Sequence, residues 1–88
     1  MAVVFIPTQL QDMTDGRSSI EIEAGSVREV VAGLEMHFPG ITARLCSGGE
    51  LSPNLQVSID SEVSSLGLLA KVAPDSEVYF IPAIGGGA

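Results

Sequence analysis

The chain has 88 residues, of which 45% are hydrophobic, and this is enough for one small globular domain with a single core. Its net charge of −7 argues against binding to nucleic acid or to an anionic membrane, and it indicates either a basic protein partner or a charge that keeps the domain soluble. The lone Cys46 excludes an internal disulfide and a metal site built from several cysteines, which is typical of a reduced, cytoplasmic protein.

Two strands are predicted in the first quarter of the chain. The β-branched and aromatic run of residues 3–6, ended by Pro7, predicts the first strand. Residues 18–23 alternate isoleucines with polar side chains, which predicts a second, half-buried strand. Asp15-Gly16 is a turn signal between the two runs, so we expect the strands to pair as a hairpin.

One amphipathic helix follows these strands. Ser26 and Glu29 have the spacing of a capping box, and Pro39-Gly40 predicts the end of the helix. His37 lies in the last turn without other metal-ligand residues beside it, so we interpret it as a surface residue. The predicted apolar stripe consists of Val27, Val30, Val31, Leu34 and Phe38.

The second half of the chain predicts further strands separated by loops. Residues 41–54 are irregular, with one helical turn expected around Thr42–Cys46. Leu55–Asp60 alternates as a strand does, and Leu66–Val72 is expected to be an edge strand or a turn. Glu77–Pro82 is the predicted final strand. This order predicts an α+β fold of the β-grasp type, a mixed four- to five-stranded sheet with one main helix packed across it.

The first and last strands carry more apolar side chains than one helix can cover. If residues 4, 6, 78 and 80 face the helix, the alternate positions must lie on the outer face of the sheet. Neighbouring first and last strands would then form an exposed apolar patch, which usually marks a partner surface. We call it the partner-binding patch, and it consists of Val3, Phe5, Tyr79 and Ile81.

The final strand runs directly into a glycine-rich tail. We expect a domain over 1–84 and a flexible tail over 85–88. The tail contains Gly85, Gly86, Gly87 and Ala88, and the C-terminal lead before it contains Pro82, Ala83 and Ile84. Three glycines form a thin thread that can enter a narrow channel. The alternative is a frayed terminus, since chain ends are usually mobile, although such a tail is usually polar and this one consists only of Gly and Ala.

No active site is predicted within the chain itself. There is one histidine, and there is no nucleophile–base set, no metal-ligand spacing and no phosphate-binding glycine loop between a strand and a helix. We recognise neither a secretory signal nor an apolar run long enough to cross a membrane. A carrier or substrate protein is therefore favoured over an enzyme, and we expect no catalytic residue, no metal and no bound cofactor.

The chain resembles the ubiquitin-like sulfur carrier proteins, the group of the molybdopterin synthase small subunit and the thiamine-pathway sulfur carrier. The likeness is greatest to the mycobacterial-type sulfur carriers for cysteine biosynthesis, and it runs over nearly the whole chain. It rests on the order of short motifs: Ile6-Pro7-Thr8 with Leu10, Leu34-Glu35, Gly40-Ile41, Arg44-Leu45, and Ile81-Pro82-Ala83-Ile84 before the glycines.

This resemblance implies a chemistry for the tail. In the family, an E1-like enzyme uses ATP to adenylate the C-terminal glycine carboxylate, and a sulfur donor then converts it to a thiocarboxylate. A pyridoxal-phosphate-dependent cysteine synthase would accept the sulfur, and a zinc-dependent peptidase would release the product. The resemblance implies a cytoplasmic carrier, and we expect it to be a monomer when no partner is bound.

The tail departs from the family pattern at its last residue. The family ends in Gly-Gly, which corresponds to Gly86-Gly87 here, so Ala88 is an extra residue. A peptidase could remove Ala88, Ala88 itself could be activated, or this copy could be inactive as a carrier. The alternative functions are the small subunit of molybdopterin synthase, whose partner would be the large subunit of that enzyme, a ubiquitin-like modifier of target lysines, and a β-grasp binding module with an inert tail.

Overall fold

The computed structural model describes residues 1–82 and contains a five-stranded mixed sheet. The strands are β1 (Ala2–Phe5), β2 (Ser19–Ile22), β3 (Cys46–Ser47), β4 (Glu50–Leu51), β5 (Leu55–Ile59), β6 (Glu62–Ser64) and β7 (Glu77–Pro82), and the α-helices are α1 (Val27–His37) and α2 (Ile41–Leu45). The large sheet has the order β2-β1-β7-β5-β6, in which β1 and β7 are parallel and the other neighbours are antiparallel. Strands β3 and β4 form a separate hairpin.

One face of the sheet packs against α1, which confirms the predicted β-grasp fold. The side chains of Val4 and Val78 are fully buried beneath the helix, and the predicted helical stripe is buried except for the half-buried Phe38. Among the described residues, the buried core runs from Ala2 to Phe80. The predicted domain boundary at residue 84 and the predicted tail over 85–88 lie outside the described residues.

The start of α1 follows the predicted capping box. The Ser26 hydroxyl accepts a hydrogen bond from the Glu29 N–H at 3.3 Å, which satisfies one of the free donors of the first turn. The Glu29 carboxylate accepts from the N–H of Gly25 at 2.7 Å, one residue before the cap. These two bonds fix the position at which helix α1 begins.

Helix α1 approaches β2 closely at Gly33. A Cβ atom at this position would lie 2.7 Å from the Ile22 Cγ2 atom, which is too short for a normal contact. Glycine therefore allows the helix backbone to rest on the sheet edge. As a result, the end of α1 lies beside β2.

The Glu35 carboxylate joins α1 to α2. It accepts hydrogen bonds from the N–H groups of Gly40 at 2.7 Å and Thr42 at 2.9 Å, so it supplies partners for free donors at the start of α2. The bond from Gly40, together with the hydroxyl and N–H of Thr42, lowers the pKa of Glu35.

We expect Glu35→Gln to reduce stability at neutral pH but not in acid. A carboxyl whose pKa is lowered by folding stabilises the fold above its unfolded pKa, and the effect disappears as the pH falls through the lower, folded pKa. The free energy of unfolding of both proteins is measured with urea between about pH 7 and about pH 2. The two plots of this free energy against pH should converge in acid. A constant difference at every pH would contradict this role.

Of the two expectations for Leu66–Val72, the turn is confirmed and the edge strand is wrong. Gly67–Leu69 is a 3₁₀ turn, and the sheet edge is β6. Asp60 and Ser61 have φ angles of 52° and 73°, so they form a tight two-residue turn that returns the chain antiparallel to β5. The apolar content of Leu66–Val72 serves packing instead, since Ala70 and Val72 are buried in the core.

Residues 8–14 and 46–51 also form elements that the sequence patterns did not predict. Thr8–Thr14 is a 3₁₀ helix inside the connection between β1 and β2, which do pair as predicted. The irregular segment contains α2, close to the predicted helical turn, followed by the β3–β4 hairpin. Gly48 and Gly49 close this hairpin with φ angles of 61° and 83°, which only glycine adopts readily.

Asp60 joins the β5–β6 turn to the start of β7. Its carboxylate accepts from the Ser76 hydroxyl and from the Glu77 N–H, both at 2.9 Å. The Ser76 side chain is buried and also accepts from the Ala73 N–H at 2.9 Å. This network fixes the point where the final strand enters the sheet.

We expect Ser76→Ala to destabilise the fold by about 1–3 kcal/mol, because it leaves Ala73 and Asp60 without their buried partner. Urea unfolding measures the loss. Ser65→Ala is the matched control, since Ser65 is exposed, and it should change stability by less than about 0.5 kcal/mol. Equal urea midpoints of unfolding for Ser76→Ala and Ser65→Ala would show that the hydrogen bonds of Ser76 contribute nothing to stability.

Candidate docking surface and C-terminal lead

Strand β7 positions the start of the C-terminal lead. It is hydrogen-bonded between β1 and β5, and its Val78 and Phe80 side chains are 0% and 4% exposed. A central strand with a buried face holds its register firmly. The register extends to Pro82, which pairs with Leu55. The remaining site residues predicted from the sequence, Ala83 to Ala88, lie outside the described residues.

The four residues of the partner-binding patch lie together on the outer face of the sheet. Tyr79 is 37% exposed, and Val3, Phe5 and Ile81 are half-buried. Phe5 and Tyr79 are directly opposite in the β1–β7 pair, and their rings stack with centroids 4.2 Å apart and an angle of 3° between planes. A stacked pair holds both rings in place, so the patch presents a rigid aromatic surface.

A cleft of about 400 Å³ lies at the end of the patch nearest the C-terminal lead. Phe5, Tyr79 and Ile81 line it from the sheet, and residues 7–9 line it from the loop after β1. A cleft of this size, with largely apolar walls, can receive a side chain of a docked partner.

The apolar surface extends beyond the predicted patch to Val63. Ser58 lies opposite Tyr79 in the sheet and Val63 lies opposite Ser58, so the three form one row across the outer face. Val63 is 59% exposed. The sequence patterns did not reveal Val63, because they offered an edge strand or a turn only at Leu66–Val72, although Asp60-Ser61 after an alternating strand was a usable turn signal.

Two carboxylates border the patch at the end away from the lead. Glu21 of β2 and Glu77 of β7 are the direct neighbours of Val3 on either side, and both are exposed. The outer face is therefore acidic at one end and apolar at the other. A partner with a basic group near Val3 and an apolar centre over Tyr79 would dock in one orientation.

Other chemically active side chains lie away from this surface. His37 is exposed at the end of α1, with its ring 6.2 Å from that of Phe38. Partial burial raises the pKa of the Cys46 thiol, which keeps it protonated and weakly nucleophilic. Within residues 1–82, no group of three or more His, Cys, Asp or Glu could hold a metal ion. In the same range, no helix is long and apolar enough to cross a membrane.

Comparison with known proteins defines the class of protein first. A CysO solved in the BexX/CysO complex of Amycolatopsis orientalis superposes with a TM-score of 0.90 at 32% identity, over 99% of this chain and 100% of that one. CysO of Mycobacterium tuberculosis superposes with a TM-score of 0.86 at 29% identity, over 96% and 100% of the two chains. The chain is a ubiquitin-like β-grasp protein.

The family follows from the sequence relatives. Sulfur carrier protein CysO of Mycobacterium tuberculosis and of Mycobacterium bovis is 33% identical to this chain over 89 residues. Each alignment covers 96% of this chain and 96% of the CysO chain. The chain belongs to the CysO family of sulfur carrier proteins. No protein-family model matches it.

Proposed function

We propose that this chain carries sulfur as a thiocarboxylate on Gly87 and donates it to the synthesis of cysteine or a related metabolite. The observation that carries this proposal is the similarity to CysO along nearly the whole chain. The geometry supports it, since β7 leads from the outer-face patch directly to the C-terminal lead. The chain acts as a co-substrate of other enzymes and needs no catalytic residue of its own.

The tail chemistry proceeds in two steps. The Gly87 carboxylate attacks the α-phosphate of ATP in an E1-like activating enzyme, which forms an acyl adenylate and releases pyrophosphate. Sulfide from a donor then attacks the acyl carbon and displaces AMP, leaving a thiocarboxylate. A glycine terminus suits both steps because the missing side chain leaves the carbonyl carbon open to attack. ATP is bound by the activating enzyme and not by this chain.

The partner-binding patch and its cleft provide the docking surface for these enzymes. Stacked aromatic rings at the centre of a surface are typical anchors of protein interfaces. The acidic border near Val3 selects partners with basic groups and speeds their approach, because the chain carries a net charge of −7. Docking there holds the start of the lead at a fixed point, so the tail reaches the partner's active site. We place this chemistry in the cytoplasm.

Ala88 must be removed before Gly87 can be activated. We assign this step to a peptidase, and a zinc-dependent enzyme of the same pathway is the expected class. A pyridoxal-phosphate-dependent synthase then accepts the sulfur from the Gly87 thiocarboxylate.

The experiment compares the full chain with a variant that lacks Ala88. Each is incubated with a host extract, ATP and sulfide, with and without a zinc chelator, and thiocarboxylate is measured by intact mass. We expect the variant to be loaded in both conditions and the full chain only without chelator. Loading of the intact Ala88 protein in the presence of chelator would overturn the trimming step. Conjugates of higher mass would instead indicate a protein modifier.

A further inference from the structure

The exposed edge of β2 presents unpaired backbone groups in a defined register. Ile6 donates its N–H to Ser18 across the β1–β2 pair, while Val3 donates its N–H to Ser76 on the β7 side. Backbone groups alternate in direction along a strand, so Ser19 and Glu21, which lie opposite Phe5 and Val3, point their N–H and C=O groups away from β1. β2 is the outermost strand of the described sheet.

A groove of about 700 Å³ runs along this edge. Ser19, Ile20 and Glu21 line it on the strand side, and Arg17, His37 and Phe38 line it on the other. Ile20 and Phe38 are half-buried and give the groove an apolar floor, which exists because α1 approaches β2 closely at Gly33. The groove meets the partner-binding patch at Val3, which belongs to the patch and also lines the groove, while the centre of the patch lies over Tyr79.

We propose that the β2 groove binds an extended segment of a partner protein, which adds a sixth strand to the sheet. Side chains of an added strand alternate between the two faces. Those on the outer face lie in the row of Glu21, and those on the inner face lie against Ile20 and Phe38. The matching segment therefore alternates basic and apolar residues over about four positions.

Charge selects a basic partner segment over a second copy of this chain. Two acidic side chains, Asp15 and Glu21, line the groove, and Arg17 is the one Lys or Arg among its lining residues. Two copies would bring together chains with a net charge of −7 each, which opposes pairing. The segment thus gains affinity from its basic side chains and specificity from the alternating pattern.

The test is a selection of random display peptides on the full chain, followed by amide hydrogen exchange on the complex with an enriched peptide. We expect enriched peptides to alternate basic and apolar residues, and to slow exchange at the Ser19 and Glu21 amides. Failure to enrich any peptide, protection elsewhere in the sheet, or concentration-dependent self-association through β2 would each overturn the proposal.

Two variants with matched controls separate backbone pairing from charge. Ser19→Pro removes an N–H that points away from β1, so it deletes no hydrogen bond of the β1–β2 pair, and it should abolish binding. Ser19→Ala retains that N–H and should bind as the wild type does. Glu21→Lys should weaken binding about tenfold or more, while Glu50→Lys, which lies in the β3–β4 hairpin, should not. Equal binding by Ser19→Pro and Ser19→Ala would contradict strand addition. Sulfur loading of the wild-type chain and of Ser19→Ala tests the proposed function separately; Glu21→Lys is left out of that comparison because Glu21 also borders the partner-binding patch.

Discussion

A chain that ends at Gly85 should fold normally and carry no sulfur. The deletion removes only Gly86, Gly87 and Ala88, which carry no large side chain, and it leaves in place the core that the structure describes between Ala2 and Phe80. The proposed reactive carboxyl would then lie two residues short of its position in the activating enzyme, which should reduce activation below detection because a misplaced reacting group loses its orientation. Intact mass after incubation with host extract, ATP and sulfide measures the loss.

The control for this truncation is removal of Ala88 alone, which should leave loading intact. If the chain ending at Gly85 still acquired sulfur, the carrier group would lie elsewhere. The alternative is a persulfide on Cys46, the single cysteine of the chain. Because burial raises the pKa of this thiol, we expect Cys46→Ser to load as fully as the wild type. Loss of loading in Cys46→Ser would contradict the account.

Tyr79→Asp should fold but fail to be activated. The substitution removes the ring stacked on Phe5 and places a charge at the centre of the proposed docking surface. The loss of a central aromatic anchor costs about 2 kcal/mol or more in binding, so we expect at least about a 30-fold fall in the efficiency of activation. The cost to folding should include about 0.5–1.5 kcal/mol for the aromatic pair, in addition to the loss of the apolar area that Tyr79 buries and the lower strand propensity of aspartate.

Two further variants keep this prediction testable. Tyr79→Thr removes the ring but retains a residue that suits a strand, so it should fold even if the aspartate variant does not. Met36→Asp is the matched control, since Met36 is 86% exposed on α1, away from the outer face of the sheet. We expect it to be activated as the wild type is. Equal activation of Tyr79→Thr and the wild type would show that the partner-binding patch is not part of the docking surface.

The strand patterns of the sequence predicted the sheet and the patch for a physical reason. The two strands β1 and β7 have more apolar side chains than one helix can cover. Because side chains alternate along a strand, this placed Phe5 and Tyr79 on the outer face. The structure adds their close stacking and the cleft beside them, which depend on side-chain rotamers and on the path of residues 7–9. No sequence period encodes such details.

The elements that the sequence did not reveal are short and fixed by tertiary contacts. β6 has three residues and is specified by the Asp60-Ser61 turn, while the apolar run of Leu66–Val72 looked more like a strand than β6 did. The β2 groove likewise depends on Gly33, whose role is visible only once the distance to Ile22 is known. Propensity is a weak guide where packing decides the conformation.

The proposal that Gly87 carries sulfur is tested by the intact mass of the protein purified from its own host. We expect a species that ends at Gly87 and has the mass increase of one oxygen-to-sulfur exchange. This increase should be lost on alkylation or hydrolysis of the thiocarboxylate. A single species that retains Ala88, carries no sulfur and stays unchanged when the sulfur supply is raised would contradict the proposal that this chain is a working sulfur carrier.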